Sequence, residues 1–141
     1  MQDTLVIIPT YNEKENIEKI IRATFSQKKA FDILIVDDSS PDGTANIVRE
    51  LQHEFPKSLC LEVRKEKNGL GAAYIHGFKW ALEKGYDYII EMDADFSHNP
   101  EDLERLYDAC AIDGADLSIG SRYSKGVNVV NWPMKRVLLS Y

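Results

Sequence analysis

Apolar residues along the chain change their periodicity several times, which is typical of a protein in which strands and helices alternate. Short continuous apolar runs, each ended by proline or polar residues, predict strands that are buried on both faces. Between these runs, apolar residues recur every three or four positions, and this spacing predicts amphipathic helices. The predicted strands cover residues 5–8, 33–36, 59–63, 88–92 and 117–120.

Four helices are predicted between these strands, and local signals indicate where they begin and end. Asn12 and Glu15 form a predicted capping pair for the first helix. A serine followed by proline at 40–41 predicts the start of the second helix. Gly85 predicts the end of the third helix, and the Asn-Pro-Glu-Asp segment 99–102 predicts the start of the fourth.

The strict alternation of strand and helix predicts one α/β domain over residues 1–141. Its architecture is expected to be Rossmann-like, with a mostly parallel central sheet and helices on both faces. In such sheets, ligands bind beyond the carboxyl ends of the strands. The candidate site therefore consists of the segments that follow the predicted strands, which are residues 9–13, 37–40, 93–95 and 120–123.

The acidic residues in two of these segments carry the clearest chemical signal. Asp93 and Asp95 are separated by one residue where a strand ends, so both carboxylates can point to the same side of the chain. Hard oxygen ligands suit Mg²⁺ or Mn²⁺, which keep coordination positions open for phosphate oxygens. The alternative is a solvated loop that caps the fourth helix. One acid of the Asp37-Asp38 pair can bind a ribose or a base, unless Asp38 or Asp42 only starts the second helix.

Several other classes of protein are disfavoured by the same segments. Gly69 and Gly71 lack the further residues of a nucleotide-binding loop, and more simply allow the third helix to lie close to the sheet. His98 is the histidine nearest a candidate segment, and no histidine pair has metal-ligand spacing on one helix. No serine or cysteine stands in a nucleophile elbow, which argues against covalent hydrolysis. A receiver-type signalling domain would need its acidic pair after the first strand.

Composition and charge limit the classes of molecule that this chain is expected to bind. The net charge of −6 argues against nucleic acid as a partner. Four basic residues and no acidic residue follow Asp116, and this basic segment predicts contact with an anion or an anionic surface, or else an exposed tail. Cys60 and Cys110 lie among apolar neighbours and are expected to be buried free thiols in a reducing compartment. No signal peptide or membrane span is predicted, so a soluble or peripheral protein is expected.

Six motifs occur in order along the chain: VIIPTYNE at 6–13, VDDSSPDGT at 36–44, GLG at 69–71, MDADFSHNP at 92–100, GSRY at 120–123 and NWP at 131–133. Together they resemble the family 2 glycosyltransferases, which have the GT-A fold, and most of all their dolichol- or polyprenyl-phosphate mannosyltransferase branch. The resemblance covers nearly all of the chain, and the Ser-His-Asn-Pro segment 97–100 resembles the mannosyl branch most.

This resemblance implies an inverting transfer of mannose from GDP-mannose to the phosphate of a dolichyl or polyprenyl phosphate. It implies Mg²⁺ or Mn²⁺ as cofactor, with Asp95 as the main metal ligand and Asp93 sharing the ion. Ser97 stands where some relatives have a metal-binding amide. The donor-binding residues implied for the guanosine part are Pro9, Tyr11, Glu13, Val36 and Asp38, and those for the ribose and diphosphate are Asp93, Ala94 and Asp95.

The acceptor side is implied in the same way. Arg122 and Arg136 match arginines that bind the acceptor phosphate, with Ser140 as a helper, and Arg122 also reaches the donor. Asp95, Arg122 and Arg136 are thus the expected catalytic residues. The protein is expected to lie on the cytoplasmic face of a membrane, and its domain is expected to be truncated within a helix that begins at 137–139. The alternatives are a UDP-sugar donor, or a catalytically silent nucleotide-sugar-binding subunit.

Overall fold

The computed structural model describes residues 1–65, 69–112, 114, 117–120, 127–130 and 137–140, the last three segments as strand backbone. Strands and helices alternate as expected up to the fifth strand. The strands are β1 (Thr4–Thr10), β2 (Asp32–Asp37), β3 (Leu59–Val63), β4 (Tyr88–Glu91), β5 (Leu117–Gly120), β6 (Val127–Val130) and β7 (Val137–Ser140). The helices are α1 (Ile17–Phe25), α2 (Thr44–Glu54), α3 (Leu70–Lys84) and α4 (Leu103–Ala111), the last preceded by a 3₁₀ turn (Pro100–Asp102).

The described strands form one sheet in the order β3-β2-β1-β4-β7-β5-β6. All neighbouring pairs are parallel except β5 and β6, which are antiparallel. The strand order reverses at β1, where β2 lies on one side and β4 on the other. A parallel sheet that reverses its strand order in this way opens a crevice at the carboxyl ends of the strands.

Successive residues of β1 contribute to two separate cores, because side chains alternate between the faces of a strand. Val6 and Ile8 pack in a cluster with the apolar faces of α1, α2 and α4. Leu5 and Ile7 pack in a second cluster, with residues of α3. The predicted mostly parallel sheet with helices on both faces is confirmed. Among the described residues, no helix combines the length and the apolar character needed to cross a membrane.

Two predicted helix starts are wrong. Helix α1 begins at Ile17 without a side-chain cap, and the carbonyl oxygen of Glu13 accepts the backbone N–H groups of Asn16 and Ile17. The N-cap residue is Asn16, four positions after Asn12. Helix α2 begins at Thr44 rather than at the serine and proline of 40–41, because Gly43 has φ 90° and ends the preceding turn.

The segment 137–139, predicted to begin a helix, is instead part of β7. Three apolar residues in a row fit a helix or a buried strand equally well, and periodicity cannot separate the two. Pairing with other strands identifies this segment as a strand, because β7 pairs with β4 on one side and with β5 on the other. Strand β6 was not predicted from the sequence, and pairs with β5.

The close approach of α3 to the sheet occurs at Gly77, not at the two glycines predicted for it. A Cβ atom built on Gly77 would lie 2.7 Å from Cγ2 of Ile7 in β1. A Cβ on Gly69 or on Gly71 would meet nothing within 4 Å. Gly69 is needed for a different reason, which is its φ of 92° at the start of α3.

Candidate functional site

A cleft of about 260 Å³ lies at the carboxyl ends of β1, β2 and β4. The sequence predicted that the segments after these strands would meet, and most of the predicted donor-binding residues do line this cleft. The lining residues are Pro9, Thr10, Tyr11, Glu13, Asp38, Gly69, Ala73, Asp93, Ala94 and Asp95.

Four predicted site residues are not among the lining residues in the described part of the chain. The side chain of Val36 is fully buried and packs with Leu34 in the core on the α3 side. Arg122 and Arg136 lie outside the described residues. Ser140 is the last residue of β7, and its side chain is outside the description. Their proposed roles stay predictions from the family resemblance.

The segment after β1 is held in place by side chains of the segment after β2. The backbone N–H of Asn12 donates to Oγ of Ser40 (2.9 Å), that of Glu13 to Oγ1 of Thr44 (3.1 Å) and that of Lys14 to Oδ2 of Asp42 (3.1 Å). The VDDSSPDGT motif is therefore a scaffold that supports the first loop of the cleft. It leaves Tyr11 partly exposed (38%) at the edge of the cleft.

The adjacent acids Asp37 and Asp38 have different roles. Asp37 is fully buried, and its carboxylate accepts hydrogen bonds from the hydroxyl of Thr10 (2.7 Å) and from the hydroxyl and backbone N–H of Ser40 (2.6 and 2.9 Å). Asp38 lines the cleft instead. Of the two acids, Asp38 is the one that can contact a ligand.

Arg64 is a site residue that sequence reasoning missed. Its guanidinium lies 3.5 Å from the carboxylate of Asp38, and both side chains are almost completely buried. The backbone of Arg64 is tied to the end of β2, where its N–H donates to the carbonyl of Asp37 (2.7 Å) and its own carbonyl accepts the hydroxyl of Ser39. The available signal was its position directly after β3, at the same edge of the sheet as the predicted loops.

The loop after β4 presents Asp93 and Asp95 to the cleft. The hydroxyl of Tyr74 donates to Oδ1 of Asp93 (2.8 Å), and the backbone N–H of Asp93 donates to Nδ1 of His98 (3.1 Å). Oδ1 of Asp95 accepts the backbone N–H of Ser97 (2.9 Å). This bond and one from the Ser97 side chain hold the pKa of Asp95 below its usual value. Asp95 is therefore ionised and exposed at the mouth of the cleft.

Negative charge is concentrated at this edge of the sheet. Burial raises the pKa of Glu13, and the nearby carboxylates of Asp95, Asp42 and Asp93 raise it further. Burial, with the charge of Asp93 as a second cause, raises the pKa of Glu91 to about 7. In both residues burial is the larger cause, and the neighbouring carboxylates add to it.

The chemistry of these side chains fits a hard divalent cation. Asp93 and Asp95 supply carboxylate oxygens, the preferred ligands of Mg²⁺ and Mn²⁺. Within the described part of the chain, no group of three or more acidic, histidine or cysteine residues is arranged to hold a metal. A carboxylate pair of this kind suits an ion whose remaining ligands are water and the phosphate oxygens of a bound nucleotide.

A doubly wound α/β sheet with an acidic cleft at its switch point defines a nucleotide-binding protein of the Rossmann-like class. Comparison with known proteins narrows this class. The chain belongs to glycosyl transferase family 2, whose family model matches residues 5–140. The family resemblance noted in the sequence is thereby confirmed.

Two curated relatives are similar over almost the whole chain. The polyprenol monophosphomannose synthase of Mycolicibacterium smegmatis is 52% identical over 139 residues, which are 99% of this chain and 52% of the relative. The undecaprenyl-phosphate mannosyltransferase of Micrococcus luteus is 47% identical over 137 residues, which are 97% of this chain and 55% of the relative. The chain thus spans about half the length of these relatives.

A solved structure confirms the fold. The mannosyltransferase PcManGT from Pyrobaculum calidifontis, in complex with GDP-Man and Mn²⁺, is 25% identical with a TM-score of 0.72. The match covers 84% of this chain and 34% of that protein. The chain has the GT-A fold that the family resemblance implied.

Proposed function

We propose that this chain is the donor-binding part of an inverting glycosyltransferase that transfers mannose from GDP-mannose to the phosphate of a polyprenyl or dolichyl phosphate. One observation carries the proposal. The described lining of the cleft contains four carboxylates, those of Glu13, Asp38, Asp93 and Asp95, and neither lysine nor arginine. A nucleotide diphosphate is an anion, so a cation that accompanies it would offset its repulsion by these carboxylates.

The donor is assigned to the cleft by the distribution of side chains. Guanosine is proposed to lie against Pro9 and Tyr11, within reach of Glu13 and Asp38. This arrangement is supported by the positions of Tyr11 and Asp38 in the lining of the cleft, after β1 and at the end of β2, respectively. A planar base can stack on an aromatic ring, and a carboxylate can accept hydrogen bonds from a base or a ribose.

The ribose and the diphosphate are assigned to Asp93, Ala94 and Asp95, which line the other side of the cleft. Mg²⁺ or Mn²⁺ is proposed to be held by Asp95 and shared by Asp93. A divalent ion in this position offsets the charge that develops on the leaving diphosphate. The ionised state of Asp95, maintained by its bonds to Ser97, supports its assignment as the main ligand.

The acceptor is assigned to the basic end of the chain. A lipid monophosphate is already an anion near neutral pH, so it needs placement rather than deprotonation. Arg122 and Arg136, helped by Ser140, are proposed to position it, because guanidinium groups bind phosphate with paired hydrogen bonds. Attack of the phosphate oxygen on the anomeric carbon, opposite the leaving GDP, inverts the configuration there. A lipid acceptor also implies work at the cytoplasmic face of a membrane, with the protein bound peripherally.

Donor binding can be tested by thermal shift in the presence of GDP, UDP, GDP-mannose or UDP-glucose, each with and without Mn²⁺. A ligand that binds the folded state raises the melting temperature. We expect GDP and GDP-mannose to stabilise the protein, and Mn²⁺ to increase the effect. We expect Asp95→Ala to abolish the increase from Mn²⁺. Asp108→Ala, which replaces an acid on α4 that does not line the cleft, should leave it unchanged.

Acceptor use needs a separate assay, which is the transfer of radiolabelled mannose to a polyprenyl phosphate in detergent. We expect Arg136→Ala to reduce transfer strongly while the Mn²⁺-dependent shift with GDP is retained. A preference for UDP-sugars would refute the mannosyl assignment. Donor binding without transfer by the full-length protein would point instead to a catalytically silent subunit. Identical effects of Asp95→Ala and Arg136→Ala would contradict the division into donor and acceptor sides.

A further inference from the structure

Asp93 differs from Asp95 in how it is held. Its carboxylate and its backbone are each bound by a side chain that has no other part in the proposed function. Tyr74, on the inner side of α3, donates from its hydroxyl to Oδ1 of Asp93 at 2.8 Å. His98, which is only 7% exposed, accepts the backbone N–H of Asp93 at Nδ1 (3.1 Å). The carboxylate of Asp95 is exposed, and the bond described for it comes from Ser97 in the same loop.

The bond from Tyr74 connects two elements that are distant in sequence. Tyr74 and Asp93 are separated by 19 residues, and α3 lies over the sheet that ends at the Asp93 loop. A carboxylate has two oxygens that both accept hydrogen bonds or bind cations. The hydrogen bond from the phenol restrains the position of Oδ1. Oδ2 is then left for an ion in the cleft.

His98 supports the same residue from the other side. A backbone N–H can only donate, so Nδ1 of His98 must be the acceptor, and the neutral ring carries its hydrogen on Nε2. The bond closes the turn from Asp93 to His98, in which Phe96 has a left-handed backbone (φ 62°). A non-glycine residue holds this conformation only where its surroundings favour it. The bond to His98 is part of those surroundings.

We propose that Tyr74 and His98 are positioning residues, which hold Asp93 so that it shares a divalent cation with Asp95 during donor binding. This inference rests on the proposed function. It assigns the Tyr-Ile-His-Gly stretch of α3 and the histidine of the Asp93 loop a role in metal affinity. Side chains that orient metal ligands in this way commonly change metal affinity about 10- to 100-fold when they are replaced.

The chain offers a matched control for Tyr74. The hydroxyl of Tyr107, also half-buried, donates to Oδ2 of Asp3 at the same distance of 2.8 Å, away from the cleft. Tyr74→Phe and Tyr107→Phe therefore each remove one tyrosine–aspartate hydrogen bond of equal length. A general loss of stability should appear in both variants. A loss of metal affinity should appear in Tyr74→Phe alone.

The measurement is a calorimetric titration of Mn²⁺ into protein saturated with GDP, followed by a titration of GDP without metal. For Tyr74→Phe we expect the Mn²⁺ concentration at half-saturation to rise about 10-fold, with GDP binding in the absence of metal unchanged. For Tyr107→Phe we expect wild-type values in both titrations. His98→Asn keeps an acceptor near the position of Nδ1 and should bind Mn²⁺ like the wild type, whereas His98→Leu should bind it as weakly as Tyr74→Phe.

The outcomes separate this inference from the proposed function. If GDP binding by the wild type is indifferent to Mn²⁺, or if Asp95→Ala retains the effect of Mn²⁺, the proposed function fails and the positioning role fails with it. If Asp95→Ala loses the effect while Tyr74→Phe titrates like the wild type, only the positioning role of Tyr74 is refuted. Equal Mn²⁺ affinity of His98→Asn and His98→Leu would refute the role of His98. The two histidine variants provide this test even if Tyr74→Phe does not fold.

Discussion

Replacing Gly77 by alanine tests how closely α3 packs on the sheet that supports the cleft. The new Cβ atom would lie 2.7 Å from Cγ2 and 3.0 Å from Cδ1 of Ile7. Ile7 is fully buried in β1, which is paired with β2 and β4 on its two sides. Its Cγ2 is attached to a β-branched carbon with little rotational freedom. Relief of the contact therefore requires α3 to move away from the sheet.

The magnitude follows from two opposing effects. Alanine favours a helix over glycine by about 1 kcal/mol. Insertion of a methyl group into a packed core costs about 1–3 kcal/mol, and the upper half of this range applies where the backbone behind the contact is fixed. We therefore expect Gly77→Ala to lower the free energy of unfolding by about 1–2 kcal/mol. Gly71→Ala, in the same helix, meets nothing within 4 Å and should raise it by about 0.5–1 kcal/mol.

The assay is urea unfolding followed by circular dichroism, with both variants measured beside the wild type. A shift of the midpoint at constant slope reports a change of stability alone. Neither glycine lines the cleft, so each variant should still bind GDP below its unfolding transition. A Gly77→Ala protein as stable as Gly71→Ala would show that the close contact between α3 and β1 does not exist in solution. The packing argument would then be wrong.

Two further stability predictions follow from polar contacts. Burial opposes the ionisation of Asp3, but hydrogen bonds from Lys29, Thr4 and Tyr107 outweigh it and lower the pKa. Asp3→Asn should therefore be less stable than the wild type at pH 7. The difference should start to shrink as the pH falls below about 4, where the unfolded chain becomes protonated, and should vanish once the folded carboxylate, with its lower pKa, is protonated as well. Thermal unfolding over this pH range tests the prediction. Oδ1 of Asn99 accepts the backbone N–H of Glu101 (3.0 Å), so Asn99→Ala should lose about 1 kcal/mol in urea unfolding, without a change in slope.

The order of the elements could be predicted from the sequence because the central strands are buried on both faces. Continuous apolar runs such as 5–8 and 33–36 are typical of strands that helices cover on both sides of a parallel sheet. Helix α3 was equally clear, and Gly85 ends it in the left-handed conformation as expected. Strand β7 was missed because its three apolar residues in a row fit a helix as well as a strand, and only its pairing with β4 and β5 separates the two. Strand β6 was not predicted, and its pairing with β5 identifies it.

The positions of the acidic loops were predictable for a topological reason, whereas their supports were not. Parallel strands bring their carboxyl ends to one edge, so residues 9–13, 38 and 93–95 had to meet there. Arg64 and Tyr74 enter the site through contacts with Asp38 and Asp93, respectively. Such contacts depend on side-chain direction and on the packing of α3 against the sheet. A linear pattern contains neither.

The pair Asp37-Asp38 is another case in which the sequence predicts where two side chains lie but not what each of them contacts. Adjacent residues at the end of a strand point to opposite faces, so one acid of such a pair is available to a ligand and the other is turned into the protein. The buried member must then find hydrogen-bond donors, because an ionised carboxylate without them is expensive to bury. Thr10 and Ser40 supply those donors to Asp37, and both belong to the loops that build the cleft. The buried acid thus joins the first two loops, while its neighbour Asp38 lines the cleft.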